Sequence, residues 1–147
     1  MIEESDAKSV IVDVDVASYY PNIIRALELR PKHLGPEFNE ILEAITTERL
    51  AAKAAGEKVK ADGMKIVINS AFGKTGNKYS ILFDELVQLQ VTLAGQLMIL
   101  MLIESLLKAK IKILSANTDG VLVKLPRMRL PQLKKIMRSW ERTTGQA

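Results

Sequence analysis

Between Ser9 and Val16 the chain reads Ser-Val-Ile-Val-Asp-Val-Asp-Val, an apolar, β-branched run broken only by Asp13 and Asp15. Such residues favour extended backbone, and side chains two apart on a strand share a face. Two carboxylates thus stand together on a strand otherwise suited to burial. Unpaired, they would be costly, so they must meet cations, hydrogen-bond donors or water. In the plainest case one accepts bonds from a turn while the other points to solvent.

The strand stops at Tyr20-Pro21. Proline suits the first turn of a helix and disfavours helical backbone for the residue before it, so a helix through Ile23, Ile24 and Leu27 begins there. Arg30 to Pro36 reads as a loop. Phe38, Ile41, Leu42 and Ile45 repeat at helical spacing and carry a helix towards Lys53, with a turn at Gly56. A further helix runs to about Phe72, and Gly73 to Lys78 reads as a loop. A long helix spans 84–108. Ile111–Leu114 and Val121–Leu125 then flank Ser115-Ala116-Asn117-Thr118-Asp119-Gly120, the pattern of a β-hairpin that displays Asp119 at its turn. The last helix sets Leu130, Leu133, Ile136, Met137 and Trp140 on one face, with Lys134, Lys135 and Arg138 outside it.

From Leu86 to Ile103 eighteen residues pass without a charge, the lower limit for spanning a bilayer. Gln88, Thr92 and Gln96 recur on one face, so the segment is expected to be a largely buried core helix and no membrane partner is expected. The opening Met1-Ile2-Glu3-Glu4-Ser5-Asp6 has no basic or apolar leader pattern.

With no cysteine and one histidine, His33, disulfides, thiol chemistry, Cys-ligated zinc and a Ser-His-Asp triad are set aside, leaving carboxylates, Lys, Arg and hydroxyls. The net charge of +4 is unevenly spread. Residues 1–48 carry 4 basic and 10 acidic groups, and residues 49–147 carry 17 and 7. A chain polarised in this way suits divalent cations at one place and polyanions at another. An EF-hand is excluded because Ala17 and Ser18 stand where a further oxygen ligand and a glycine belong. Gly73-Lys74-Thr75 is no Walker A loop, since Ile68 replaces its first glycine and a helix precedes it.

Asp15-Val16-Ala17-Ser18-Tyr19-Tyr20-Pro21-Asn22-Ile23-Ile24 closely resembles motif A of family B DNA polymerases, D-x-x-S-L-Y-P-S-I-I. Lys65-Ile66-Val67-Ile68-Asn69-Ser70-Ala71-Phe72-Gly73 resembles their motif B, K-x-x-x-N-S-x-Y-G, and Asn117-Thr118-Asp119-Gly120 is similar to motif C, D-T-D-S. All three occur in family order, on the expected strand, helix and hairpin. The resemblance implies an α+β polymerase palm of the RRM-like or ferredoxin-like type, an antiparallel sheet with helices on one face, plus a short helical fingers region. The implied domains are palm with motif A at 1–36, short fingers with motif B at 37–72, and palm with motif C at 73–147. Exonuclease and thumb are missing from it, which implies a fragment of a longer, phage-like enzyme working in the bacterial host cytoplasm.

The implied activity is DNA-directed DNA synthesis from deoxynucleoside triphosphates on primer-template DNA. Two Mg²⁺ ions, with Mn²⁺ as a substitute, would sit about 3.5–4 Å apart. By resemblance Asp15 and Asp119 are the catalytic metal ligands, joined by the Val16 carbonyl. The amides of Ser18 and Tyr19 approach the triphosphate. Arg49 and Lys53, four apart, match an R-x-x-x-K phosphate-binding element, and Lys65 and Asn69 repeat that spacing. Lys65, Asn69 and Phe72 share one helical face, opposite Met64, Val67, Ile68 and Ala71. Tyr20 matches the tyrosine beneath the incoming sugar, which leaves no room for a 2′-hydroxyl. Phe72, Gly73, Lys74 and Lys78 are the template and primer candidates.

Three positions depart from the pattern: Asn117 for the first motif C aspartate, Gly120 for its serine and Phe72 for the motif B tyrosine. Asp13 is an auxiliary candidate that would restore the charge lost at Asn117. An apolar face bared by missing domains would favour self-association. Two other functions compete. Val10 to Val16 resembles the h-h-h-D-x-D strand of haloacid-dehalogenase phosphatases, with Asp13 as nucleophile and Asp15 as acid/base, a fold that needs a doubly wound parallel sheet. The other is a nucleic-acid-binding remnant without catalysis.

Overall fold

The computed structural model describes residues 8–146. The N-terminal segment read above for a leader pattern lies outside the described residues. Along the chain come β1 (Ser9–Asp15), α1 (Tyr19–Ala26), α2 (Glu37–Ala54), α3 (Lys58–Thr75), α4 (Glu85–Lys108), β2 (Lys112–Ala116), β3 (Gly120–Pro126), a 3₁₀ turn (Arg127–Arg129) and α5 (Leu130–Thr144). The fold is α+β. Two compact units divide it, one comprising the residues up to Ala17 and from Ala94 on, the other Ser18–Leu93. The boundaries expected at 36 and 72 both fall inside the second unit.

In the first unit the three strands form one antiparallel sheet of order β1-β3-β2. Both outer strands pair with β3, so they run parallel to each other, and the connection between them carries α4. With α5 after β3, this is the order of the first five elements of a β-α-β-β-α-β ferredoxin-like unit. β1 pairs with β3 from Ser9↔Pro126 to Asp15↔Gly120. β2 pairs with β3 from Lys112↔Lys124 to Ala116↔Val121, with an irregularity between Ile113 and Ser115. The haloacid-dehalogenase alternative is thereby corrected: the sheet is three-stranded and antiparallel rather than doubly wound and parallel.

Alternation decides the faces of this sheet. Val14, Val121, Val123 and Leu125 are buried, while Asp13 and Asp15 are exposed. Leu102, Leu106, Leu133 and Trp140 are buried in the same unit. The Trp140 indole donates to the Met98 carbonyl at 2.7 Å, tying α5 to α4. Arg129 donates to the carbonyls of Ala109 and Lys110 just past the end of α4, at 2.5 and 3.2 Å, satisfying acceptors that a helix end leaves free.

In the second unit α1, α2 and α3 pack through Ile23, Ile24, Leu42, Ala52, Ala61 and Ile68. Arg25 grips Glu43 with two hydrogen bonds of 2.5 and 2.9 Å, drawing the Glu43 carboxyl below its ordinary pKa. Asp84 caps α4, accepting from Leu86 N–H and Val87 N–H at 3.0 and 3.2 Å, while its other oxygen takes Lys32 N–H at 2.9 Å. His33 Nε2 donates to the Ile81 carbonyl at 2.6 Å, which is a structural role.

Two expectations about the helices are corrected, one at the end of α3 and one for α4. The loop expected from Gly73 begins only at Gly76, because α3 runs on to Thr75. The wholly buried Thr75 hydroxyl sits 2.6 Å from the Phe72 carbonyl and 2.7 Å from the Gln88 side chain, holding that last turn. The buried face of α3 is narrow, and of the apolar set opposite Lys65 only Ile68 is fully buried. Ala61, Ile68 and Thr75, seven apart, line it, and Val67 is 53% exposed.

The long helix α4 is not largely buried. Only 28% of its most apolar stretch lies inside. Val87, Val91, Gly95, Ile99, Leu102 and Leu106 form one buried stripe at steps of three and four. Leu86, Leu89, Leu93, Leu97, Leu100, Met101 and Leu107 remain exposed. The helix is apolar nearly all round, so composition did not distinguish its packed stripe from its bare one. It is also, among the described residues, the helix long and apolar enough to cross a membrane.

Candidate functional site

β1 ends at Asp15, which pairs with Gly120, the first residue of β3. The next backbone contact continues the ladder, with Val16 N–H donating to the Asp119 carbonyl at 2.9 Å. Asp15 and Asp119 are thus fixed one residue apart across neighbouring strands. Neither carboxylate is ion-paired among the described residues, and Asp119 accepts only a long 3.4 Å contact from the Thr118 hydroxyl. Oxygen atoms left free in this way suit a hard cation, and Mg²⁺ is commonly held by one or two carboxylates together with substrate phosphate and water. No cluster of three or more His, Cys, Asp or Glu occurs among the described residues.

Asn117 stands beside this pair, in the turn. Its Oδ1 accepts the Asp119 N–H at 3.1 Å, and its own N–H donates to the Gly120 carbonyl at 3.0 Å. This is an Asx turn, and Asn at the head of a tight turn is its sequence signal. Gly120 is required by space. A Cβ there would come 2.8 Å from the Val14 carbonyl oxygen and 3.3 Å from Asn117 Oδ1. The serine of the motif therefore cannot be accommodated without moving β1. Asp13, paired with Leu122, projects on the exposed face that Asp15 also uses.

In the second unit Ser18 precedes α1 in the left-handed region at φ 54°, a costly conformation for a residue with a Cβ. Its carbonyl accepts from Asn22 N–H at 3.0 Å, which closes the first turn of α1. Arg49 Nη1 donates to Ser18 Oγ at 3.3 Å, while Arg49 Nε is buried with no hydrogen-bond partner. A buried guanidinium N–H without an acceptor is uncommon in a folded protein. That bond joins residues 31 apart, and nothing in their spacing signals it. Lys53, Lys65 and Asn69 are exposed on α2 and α3.

The Tyr20 ring stacks on Phe72, with centroids 4.4 Å apart and planes 21° from parallel. The Tyr19 ring is also near, its centroid 5.7 Å from that of Tyr20 and its plane tilted by 40°. Gly73 and Lys74, expected in a loop, are exposed on the last turns of α3, and a Cβ at Gly73 would meet nothing within 4 Å. Lys78 lies in the turn beyond, its ammonium 5.1 Å from the centre of the Tyr79 ring.

No protein-family model matches this sequence, and no curated protein matches it. Among solved structures, the chain is similar to the family B DNA polymerase from the hyperthermophilic archaeon Pyrobaculum calidifontis, with a TM-score of 0.73 and 15% sequence identity. The match covers 99% of this chain and 25% of that polymerase. The likeness is one of fold, and the chain spans about a quarter of the length of its neighbour.

Proposed function

We propose that this chain is the palm and short fingers of a family B DNA polymerase, a part of the machinery for template-directed nucleotidyl transfer. The observation that carries this reading is the pairing of Asp15 with Gly120 at the mouth of the β1–β3 ladder, which sets Asp15 beside Asp119 in a fold resembling a quarter of such an enzyme. That motif A lies at the end of β1, motif B on α3 and motif C in the β2–β3 hairpin supports the reading.

Asp15, Asp119 and the Val16 carbonyl would hold Mg²⁺. When bound, paired metal ions activate the primer hydroxyl and neutralise charge on the transferring phosphate. The chain's own groups have complementary tasks. Arg49, with its unmatched Nε, together with Lys53 and Lys65, neutralises the triphosphate, and the Ser18 and Tyr19 amides orient it. Asn69 aids the nucleotide, and Tyr20 lies under its sugar and excludes a 2′-hydroxyl. Phe72, Gly73, Lys74 and Lys78 face template or primer, with phosphate contacts that weaken as salt rises. Asp13 adds negative charge near the metal site in place of the missing carboxylate at 117.

In this reading the parent enzyme is phage-encoded, acts in the bacterial host cytoplasm and carries its exonuclease and thumb elsewhere in a longer polypeptide. The exposed leucines of α4 meet protein, from the parent or a second copy. The test is primer extension with Mg²⁺ and deoxynucleoside triphosphates, comparing a thumb-containing parent with its Asp15→Ala and Asp119→Ala variants. Loss of extension with retained folding supports the assignment. Full activity in either variant contradicts it. Running the isolated chain alongside separates catalysis from mere binding of nucleic acid.

A further inference from the structure

We infer that Phe72 is a positioning residue for sugar selection, acting through the ring of Tyr20. The inference rests on the nucleotide-binding role proposed for Tyr20 and adds to it a second residue, on a different helix, that sets how well that ring discriminates.

The geometry is specific. Tyr20 lies in the first turn of α1, where its side chain is half-buried and could adopt more than one rotamer. A ring that excludes one hydroxyl must hold its position to within a fraction of the size of that hydroxyl. Among the described residues the Tyr20 hydroxyl has no hydrogen-bond partner, so packing must supply the constraint. Tyr19, only 3% exposed, is one ring neighbour, at 5.7 Å and tilted. Phe72 is the closer one, at 4.4 Å and near-parallel, and its ring is the one stacked on Tyr20. A near-parallel ring pair of this kind adds attraction beyond the area it buries, and the close contact of the two faces leaves the Tyr20 ring no room to tilt towards Phe72. Phe72 is placed for the task by α3, which runs unbroken past it to Thr75, where the buried hydroxyl bonds back to the Phe72 carbonyl at 2.6 Å. The carbonyl of the stacking residue is therefore itself anchored. The missing phenolic hydroxyl at position 72 takes nothing from the stack, which needs only the ring face.

Measuring equilibrium binding of dATP and ATP to the full chain in Mg²⁺, by isothermal titration, gives the ratio of their affinities without requiring turnover. Phe72→Leu keeps an apolar side chain but removes the ring, and Phe72→Tyr keeps the ring. The expected result is that Phe72→Leu reduces the preference for dATP by roughly threefold to tenfold, the range that one aromatic pair supports, while Phe72→Tyr retains it. The Tyr20 ring proton resonances, shifted by the facing ring, move in Phe72→Leu and not in Phe72→Tyr. Tyr20→Ala is the control for the underlying reading. If Tyr20→Ala abolishes the preference and Phe72→Leu leaves it intact, the inference is overturned while the role of Tyr20 stands. If Tyr20→Ala leaves the preference intact, or the unmodified chain binds neither nucleotide, the underlying reading fails and takes the inference with it. A Phe72→Leu chain that loses its dATP preference only together with its thermal unfolding transition would make Phe72 a folding residue, and that outcome also overturns the inference.

Discussion

Asn117 accepts the backbone N–H of Asp119 on its side-chain oxygen at 3.1 Å, so the residue that replaces a motif carboxylate is the one that shapes the turn displaying the remaining one. An aspartate could make the same bond and would add a charge. Asn117→Asp is therefore expected to keep the fold and lower the Mg²⁺ concentration needed for extension by the parent enzyme. Asn117→Ala should loosen the turn, costing about 1 kcal/mol for the lost hydrogen bond. Asp13→Asn should raise the metal requirement, and Asn117→Asp should partly relieve it. Metal titrations of the four proteins check this, and an unchanged requirement in Asp13→Asn removes Asp13 from the account.

Two glycines should respond to alanine in opposite directions. At Gly120 the new Cβ would lie 2.8 Å from the Val14 carbonyl oxygen, backbone that cannot move without disturbing the β1–β3 ladder. Gly120→Ala should destabilise by roughly 1–3 kcal/mol, the range for forced overpacking. At Gly73, helical and open for at least 4 Å around, alanine should stabilise by about 0.5–1 kcal/mol. Urea unfolding measures both. If Gly73 serves a close approach of DNA, the stabilised Gly73→Ala protein will nevertheless bind primer-template more weakly.

Asp84 makes stability depend on acid. The backbone N–H of Lys32, and then those of Val87 and Leu86, hold its folded pKa below the ordinary 3.8 against a smaller opposing push from desolvation. A carboxyl depressed in the folded state stabilises fully above its unfolded pKa, and the contribution disappears as pH falls through the folded value. Thermal unfolding should show this loss below about pH 4. Asp84→Asn, which still caps a helix, should flatten that part of the profile. Asp84→Ala should cost about 1 kcal/mol at neutral pH.

The bare stripe on α4 should cause association. Leu86, Leu93, Leu100 and Leu107 recur every seven residues and are 43–58% exposed. Sedimentation of the isolated chain is expected to show concentration-dependent oligomers, which a Leu93→Lys, Leu100→Lys double variant abolishes. A monomer at all concentrations would mean that the stripe is tolerated in water.

Much of the architecture was legible in local chemistry, and the misses share a cause. Gly56 and the Asn117–Gly120 turn mark ends that backbone geometry enforces, and Pro21 falls within the first turn of α1, which begins two residues earlier at Tyr19, so the strand, hairpin and helices fell near their observed bounds. Gly73 suggested a helix end that Thr75 and Gln88 override by a contact 13 residues apart. The burial of α4 was misjudged because leucines on its packed and bare stripes are alike in sequence. At the candidate site the motif aspartates could be named, but the Asn117 turn, the space that demands Gly120, the Ser18–Arg49 bond and the Tyr20–Phe72 stack are products of folding.

The central claim is that Asp15 and Asp119 together hold a divalent cation. Paramagnetic Mn²⁺ added to the isotope-labelled chain with dATP tests it most directly, since broadening of backbone resonances maps the bound ion without requiring catalysis. The account predicts that broadening at low Mn²⁺ centres on Asp15, Val16, Asp119 and Gly120, is competed by Mg²⁺, and is lost in both Asp15→Ala and Asp119→Ala. Broadening centred elsewhere, or unchanged in those variants, would contradict it.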